Sequence, residues 1–117
     1  MRILFLILIL GLPLFAQEQD TDLFYQANED FTAGNYGAAQ EKYEQLLEDG
    51  FDNNWQLYYN LGNAHYEQDQ AGSAALNYYR ALRLKPKNKL VSSNLELLET
   101  KIKLKACLLY TSDAADE

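Results

Sequence analysis

The sequence predicts an all-α fold in which helical hairpins stack as an α-solenoid, about two repeats followed by one extra helix. Three observations carry this. Sliding the middle of the chain along itself by 35 residues pairs Leu23 with Tyr58, Phe24 with Tyr59, Asn28 with Asn63 and Phe31 with Tyr66. The same shift pairs Ala39 with Ala74, Tyr43 with Tyr78, Leu46 with Ala81 and Leu47 with Leu82, all at 35 residues. Within each unit the apolar residues recur at three- and four-residue steps, as in Leu57, Leu61 and Ala64 or in Ala74, Tyr78, Ala81 and Leu82, which places them on one face of a helix. Breaks stand where hairpins need them: Gly34-Asn35, Gly50 to Asn54, Asp69-Gln70 and Lys85-Pro86. A period of this length marks a unit that buries its apolar face only by stacking on its neighbours.

Taken in order, the first element is a leader. Met1 to Ala16 has one base, Arg2, an unbroken apolar run from Ile3 to Leu12, then Pro13 and the small residue Ala16. This is the order of a secretory signal peptide, expected to be cleaved after Ala16. The run of 10 residues, 3–12, is well short of the roughly 20 that a transmembrane helix requires. Residues 17–21 read as a short linker. Helices are then expected at Asp22 to Ala33, Tyr36 to Asp49, Asn54 to Gln68, Ala71 to Leu84 and Asn88 to Lys105, making a repeat domain over 22–105. Ala27, Gly62 and Ala64 let neighbouring helices approach closely, and Tyr43, Tyr58 and Tyr78 fill the gaps, with hydroxyls able to reach the surface. The last helix lacks a following partner, so an exposed apolar strip along Leu95, Leu98 and Ile102 is expected, with a tendency to associate.

The segment Cys107 to Glu117, CLLYTSDAADE, breaks from the Lys-rich text before it. It resembles the translation of a sequencing-library adapter read through in frame. On that reading 107–117 is a non-native tail and the natural chain continues past Ala106. The single Cys of the chain is Cys107, so the repeat domain offers no disulfide framework and is expected to be held by packing alone.

Charge divides the chain. Gln17 to Asp69 holds 12 acids against Lys42 alone, whereas Gln70 to Ala106 holds 8 bases against Glu96 and Glu99. Such a dipole can steer a partner or favour head-to-tail contact between copies. The acidic half argues against nucleic acid as a ligand. Catalysis requires converging titratable groups, and the repeat domain has one His and no Cys, with carboxylates scattered over helix surfaces. His65 falls on a packing stripe without a second His at metal-ligand spacing, so it reads as structural, and Glu67 and Asp69 read as solvated at the turn. Phosphate-cradling loops and nucleophile elbows are also lacking. No enzyme activity, cofactor, metal or small-molecule substrate is expected.

The stretch from Tyr58 to Tyr66, YYNLGNAHY, followed by Ala74, Tyr78, Ala81 and Pro86, resembles a nearly complete tetratricopeptide repeat. Gln26 to Leu47, with Gly34-Asn35-Tyr36 and Ala39, is similar to a second copy, and Lys89 to Lys105 to the first helix of a third. His65 stands where that family usually has an aromatic, Asp69 replaces its turn glycine, and Ala75 is small for its place. More narrowly, a leader followed by ANEDFTAGNYGAAQEKYEQLLEDG, LYYNLGNAHYEQ, NYYRALRLKP and NLELLE resembles the BatE family of bacterial Bat aerotolerance operons. The partners that this resemblance implies are von Willebrand A-type membrane proteins and an AAA+ ATPase of the MoxR type. A periplasmic location follows from the leader. A membrane anchor would come from an uncleaved leader or from the chain beyond Ala106.

Stacked hairpins curve so that the first helix of each pair lines a concave surface. The expected groove is lined by Phe24, Tyr25, Asn28, Phe31 and Thr32, by Gln56, Tyr59, Asn60, Asn63, Tyr66 and Glu67, and by Ser93, Asn94, Leu97 and Lys101. Aromatic rings supply contact area at low entropic cost and Asn amides pair with a peptide backbone, so an extended peptide or partner helix suits it. Asn28, Asn60, Asn63 and Asn94 are poor helix-interior residues, and their recurrence on the lining face has either a binding reason or none. The alternatives to an adaptor are a structural, self-associating repeat segment and an accessory domain of a longer protein. Some tetratricopeptide proteins clamp a terminal carboxylate with bases; here Phe24 and Tyr59 stand in those places, and Lys101 alone cannot supply a clamp.

Overall fold

The computed structural model describes residues 20–115. The expected leader and most of the expected linker lie outside them. The chain is all-helical, with five helices and no strands among the described residues. These are α1 (20–32), α2 (Tyr36–Glu48), α3 (Trp55–Glu67), α4 (Ala71–Leu84) and α5 (Lys89–Ala115).

The helices stop where the chain can enter the left-handed region. Gly34 (φ 84°), Gly50 (φ 101°) and Asp69 (φ 59°) follow α1, α2 and α3. Each turn closes with two backbone bonds of the Schellman type. After α1 these run from Gly34 N–H to Phe31 O and Asn35 N–H to Asp30 O; after α3 they run from Asp69 N–H to Tyr66 O and Gln70 N–H to His65 O. The turn after α4 instead carries Pro86, which cannot continue a helix. Asn54 and Asn88 start α3 and α5, their side-chain oxygens accepting from Gln56 and Leu57 N–H and from Leu90 and Val91 N–H. This is the N-cap bond for which Asn is favoured.

Neighbouring helices touch in reversed order. Phe31 meets Tyr36 while Phe24 and Asn28 meet Tyr43, and Gln40 meets Gln68 while Glu44 faces His65. Helices α3 and α5 touch in parallel order, Tyr59 meeting Asn94 while Tyr66 meets Lys101, and Asn28 of α1 reaches Asn60 of α3. Helix α3 sits between two apolar clusters. Leu57, Leu61 and Ala64 join Ala27, Ala39, Tyr43 and Leu46 on one side, and Tyr58 joins Ala74, Tyr78, Ala81, Val91, Leu95 and Leu98 on the other. Gly62 permits the second approach: a methyl there would stand 2.7 Å from the Tyr78 ring and 3.3 Å from Ala74 O.

Two expectations are corrected. Leu95 and Leu98 are not an exposed strip; they are 7% and 1% exposed, because α5 lays them with Val91 onto α4, as Leu57, Leu61 and Ala64 of α3 meet the cluster of α2. Ile102 does stay exposed, at 40%. The positions of α5 that correspond to Tyr58, Gly62 and Tyr66 after a shift of 34 residues are Ser92, Glu96 and Thr100, all exposed. The face where a next helix would pack is therefore polar. Second, α5 does not end at Lys105 but runs unbroken to Ala115, since Lys89 to Ala115 contains neither Gly nor Pro. Residues 101–112 are all exposed.

Candidate functional site

The first helix of each pair carries an asparagine that reaches the second helix. The Tyr43 hydroxyl donates to Asn28 Oδ1 at 2.6 Å and the Tyr78 hydroxyl donates to Asn63 Oδ1 at 2.6 Å, both across 15 residues. Each of these oxygens accepts a second bond from the next odd-numbered helix. Asn60 Nδ2 donates to Asn28 Oδ1 at 3.5 Å, and Asn94 Nδ2 donates to Asn63 Oδ1 at 3.2 Å and to the Tyr59 hydroxyl at 3.0 Å. The four asparagines thus form two linked sets spanning α1, α3 and α5. Burial of polar groups is tolerated because each finds a partner. Tyr43 and Tyr78 are each 1% exposed, so their hydroxyls close this network instead of reaching solvent.

The phenols report that enclosure. Burial, with the charge of Asp30 adding to it, pushes Tyr43 up from the ordinary 10.0 to about 12. Burial likewise pushes Tyr78 up to about 12, against the lowering effect of the Asn94 hydrogen bond and with further raising by Tyr59, Tyr66 and Glu67. Both hydroxyls therefore act as neutral donors throughout the physiological range.

Three open depressions join through shared walls to make one groove. The first, of about 490 Å³, is bounded by Tyr25, Asn28, Glu29, Thr32 and Ala33. The next, of about 290 Å³, takes Asn28, Phe31, Thr32, Tyr43, Asn60 and Asn63. The last, of about 240 Å³, takes Phe31, Asn63, Tyr66, Glu67, Tyr78, Asn94 and Leu97. Of the expected lining, Tyr25, Asn28, Phe31, Asn60, Asn63, Tyr66, Glu67 and Asn94 meet here, together with Thr32 and Leu97.

Five expected residues sit apart. Phe24 turns edge-on to Tyr43, 6.2 Å between centroids, and packs on the first cluster. Tyr59 is wedged between Trp55 and Tyr78, leaving its hydroxyl to Asn94. Gln56 and Ser93 are exposed and line none of the three depressions. Lys101 Nζ lies 4.8 Å over the Tyr66 ring and 3.7 Å from Asp69 Oδ1, at the end of the groove. The lining residues that sequence reasoning left among the packing residues are Tyr43 and Tyr78. Their signal was present: in both units an Asn stands 15 residues before the Tyr.

His65 is 7% exposed and sits away from the groove. Its Nδ1 lies 2.6 Å from Gln70 Oε1 and its Nε2 3.9 Å from Glu44 Oε1. Among the described residues no group of His, Cys, Asp and Glu could hold a metal ion, and no helix is long and apolar enough to cross a membrane. Neither a model of a known protein family nor a curated protein matches this chain.

Proposed function

We propose that this chain is an exported tetratricopeptide-type adaptor whose groove holds an extended peptide, or a partner helix, of another protein. The observation that carries the reading is the polarity of the asparagine row. Asn28 and Asn63 use their oxygens within the chain, and Asn60 and Asn94 use their nitrogens. What remains for a ligand is N–H donors on Asn28 and Asn63 and carbonyl acceptors on Asn60 and Asn94, with a second N–H left on Asn60. An extended backbone offers the complementary C=O and N–H groups. Phe31, Tyr66 and Leu97 add apolar contact around it. Recognition of this kind is tolerant of ligand sequence, with side-chain preference set at the apolar walls.

The resemblance to BatE proteins extends the reading to a partner class: von Willebrand A-type membrane proteins or a MoxR-type ATPase complex in the periplasm or at its membrane, in an aerotolerance or stress setting. The test does not depend on that identity. Peptides selected from a random displayed library should bind wild-type protein and lose about tenfold in affinity when Asn60 and Asn94 are both replaced by Ala. That is the effect of two hydrogen bonds of about 0.7 kcal/mol each. Selection that yields no binder, or binders indifferent to both substitutions, would remove the groove from consideration.

A further inference from the structure

A further surface begins where the groove ends, at Leu97 and Lys101 of α5, and continues along that helix. Helix α5 leaves Leu97 and Leu104 60% and 61% exposed. Seven residues apart, they lie on one face two turns from each other. Lys101 stands between them but turns to Tyr66 and Asp69; Lys103 and Lys105 flank Leu104, and residues 100–110 contain no acid. At the other end of the helix order, the start of α1, the turn after α2 and the start of α3 enclose an open cup of about 240 Å³. Its walls include Phe24, Tyr25, Leu46, Phe51 and Leu57, with Asp20 among the lining. Tyr25 and Phe51 are 67% and 39% exposed. The cup belongs to the acidic half: residues 20–54 hold nine acids against Lys42, and Lys42 is already paired with Asp30.

We propose that the chain associates head to tail, the lysine-flanked Leu104 ridge of one copy seating in the aromatic cup of the next. Ridge and cup are different surfaces at different ends of the helix order, so the contact is heterologous and leaves one of each free in every dimer. Charge complementarity selects this occupant. Apolar contact supplies attraction while lysines face carboxylates across the rim, and cup-to-cup or ridge-to-ridge pairing sets like charges together.

Sedimentation of the full chain tests it, with a sample lacking residues 1–16 serving to remove association through the apolar leader. Wild-type protein should grow in size with concentration. The association constant should weaken about tenfold as ionic strength rises from about 0.1 to about 1 M, where the screening length shrinks from about 10 to about 3 Å. Leu104→Asp spoils the ridge, and Phe51→Lys spoils the cup; each alone should be monomeric. Mixed, they should form a one-to-one dimer and nothing larger, because one keeps an intact cup and the other an intact ridge. If Phe51→Lys loses its helical circular dichroism, Tyr25→Lys on the facing wall replaces it. A wild-type chain that stays monomeric at every concentration, or folded variants that fail to pair on mixing, overturns the proposal. The peptide-binding test reads Asn60 and Asn94, so the two readings stand or fall separately.

Discussion

The hairpins α1–α2 and α3–α4 solve one packing problem with different residues. Both place a fully enclosed tyrosine from the second helix against an asparagine of the first, Tyr43 on Asn28 and Tyr78 on Asn63. Around that common lock they diverge. Ala27 of the first hairpin becomes Gly62 in the second, and Gly34 of the first turn becomes Asp69. The lock is shared, as are the buried Ala39 and Ala74, while the small residue of the first helix and the turn residue vary. Both hairpins thus combine one polar contact with apolar packing, and close approach is tuned beside it.

The sharpest way to break this comparison is Gly62→Ala. The added methyl would sit 2.7 Å from the Tyr78 ring and 3.3 Å from backbone, and relief requires Tyr78 to leave Asn63. Overpacking of this kind costs about 1–3 kcal/mol, set against the better helix propensity of Ala, about 1 kcal/mol. A net loss in denaturant midpoint is expected. A gain would show that the ring yields freely and that the second hairpin is no tighter than the first.

Removing the hydroxyls compares the locks directly. In Tyr43→Phe the Asn28 oxygen keeps only the 3.5 Å bond from Asn60, whereas in Tyr78→Phe the Asn63 oxygen keeps the 3.2 Å bond from Asn94. Each loss costs about 0.5–1.5 kcal/mol, with Tyr43→Phe expected to be the larger. The pH dependence gives a second readout. Both phenols titrate near 10.0 when unfolded and at about 12 when folded, so the unfolded state releases its protons first. Their stabilising effect is complete below pH 10.0 and is lost as pH rises through about 12. Denaturation followed across that window should show a falling stability that the double Phe variant does not share. An identical slope in the variant would place the alkaline loss elsewhere.

Much of this arrangement is legible in sequence because repetition and turn chemistry are local signals. Helix α4 ends where its text does, between Gln70 and Lys85-Pro86, and the other boundaries of α1 to α4 fall within two residues of expectation. The end of α5 is not legible, since no breaker separates Lys105 from the residues after it. Nor is the fate of Leu95 and Leu98, which depends on which neighbour claims the stripe. Helix α4 claims it, and the face left over is Ser92, Glu96 and Thr100. Among the groove residues, periodicity places Asn28 and Asn63 on the lining face, but it carries no information on side-chain partners. That both oxygens accept from tyrosines is a property of three-dimensional contacts, which the spacing of 15 residues repeats but does not by itself reveal.

The turns offer the smallest and most discriminating contrast. Gly34 and Asp69 occupy equivalent places with φ of 84° and 59°, and both close the same pair of backbone bonds. An L-residue there carries a steric penalty of about 1–2 kcal/mol, which Asp tolerates better than most. Asp69→Gly removes it, at the cost of extra freedom in the unfolded chain and of the exposed contact with Lys101 at 3.7 Å, a kind worth little. The expected result is a gain of up to about 1 kcal/mol in stability. Gly34→Asp should lose a similar amount, because a methyl-sized substituent meets nothing within 4 Å there and only backbone conformation opposes it. If both exchanges leave the denaturation midpoint unchanged, the left-handed residue is not a stability determinant of either turn, and the difference between the hairpins lies wholly in how closely Tyr43 and Tyr78 are packed.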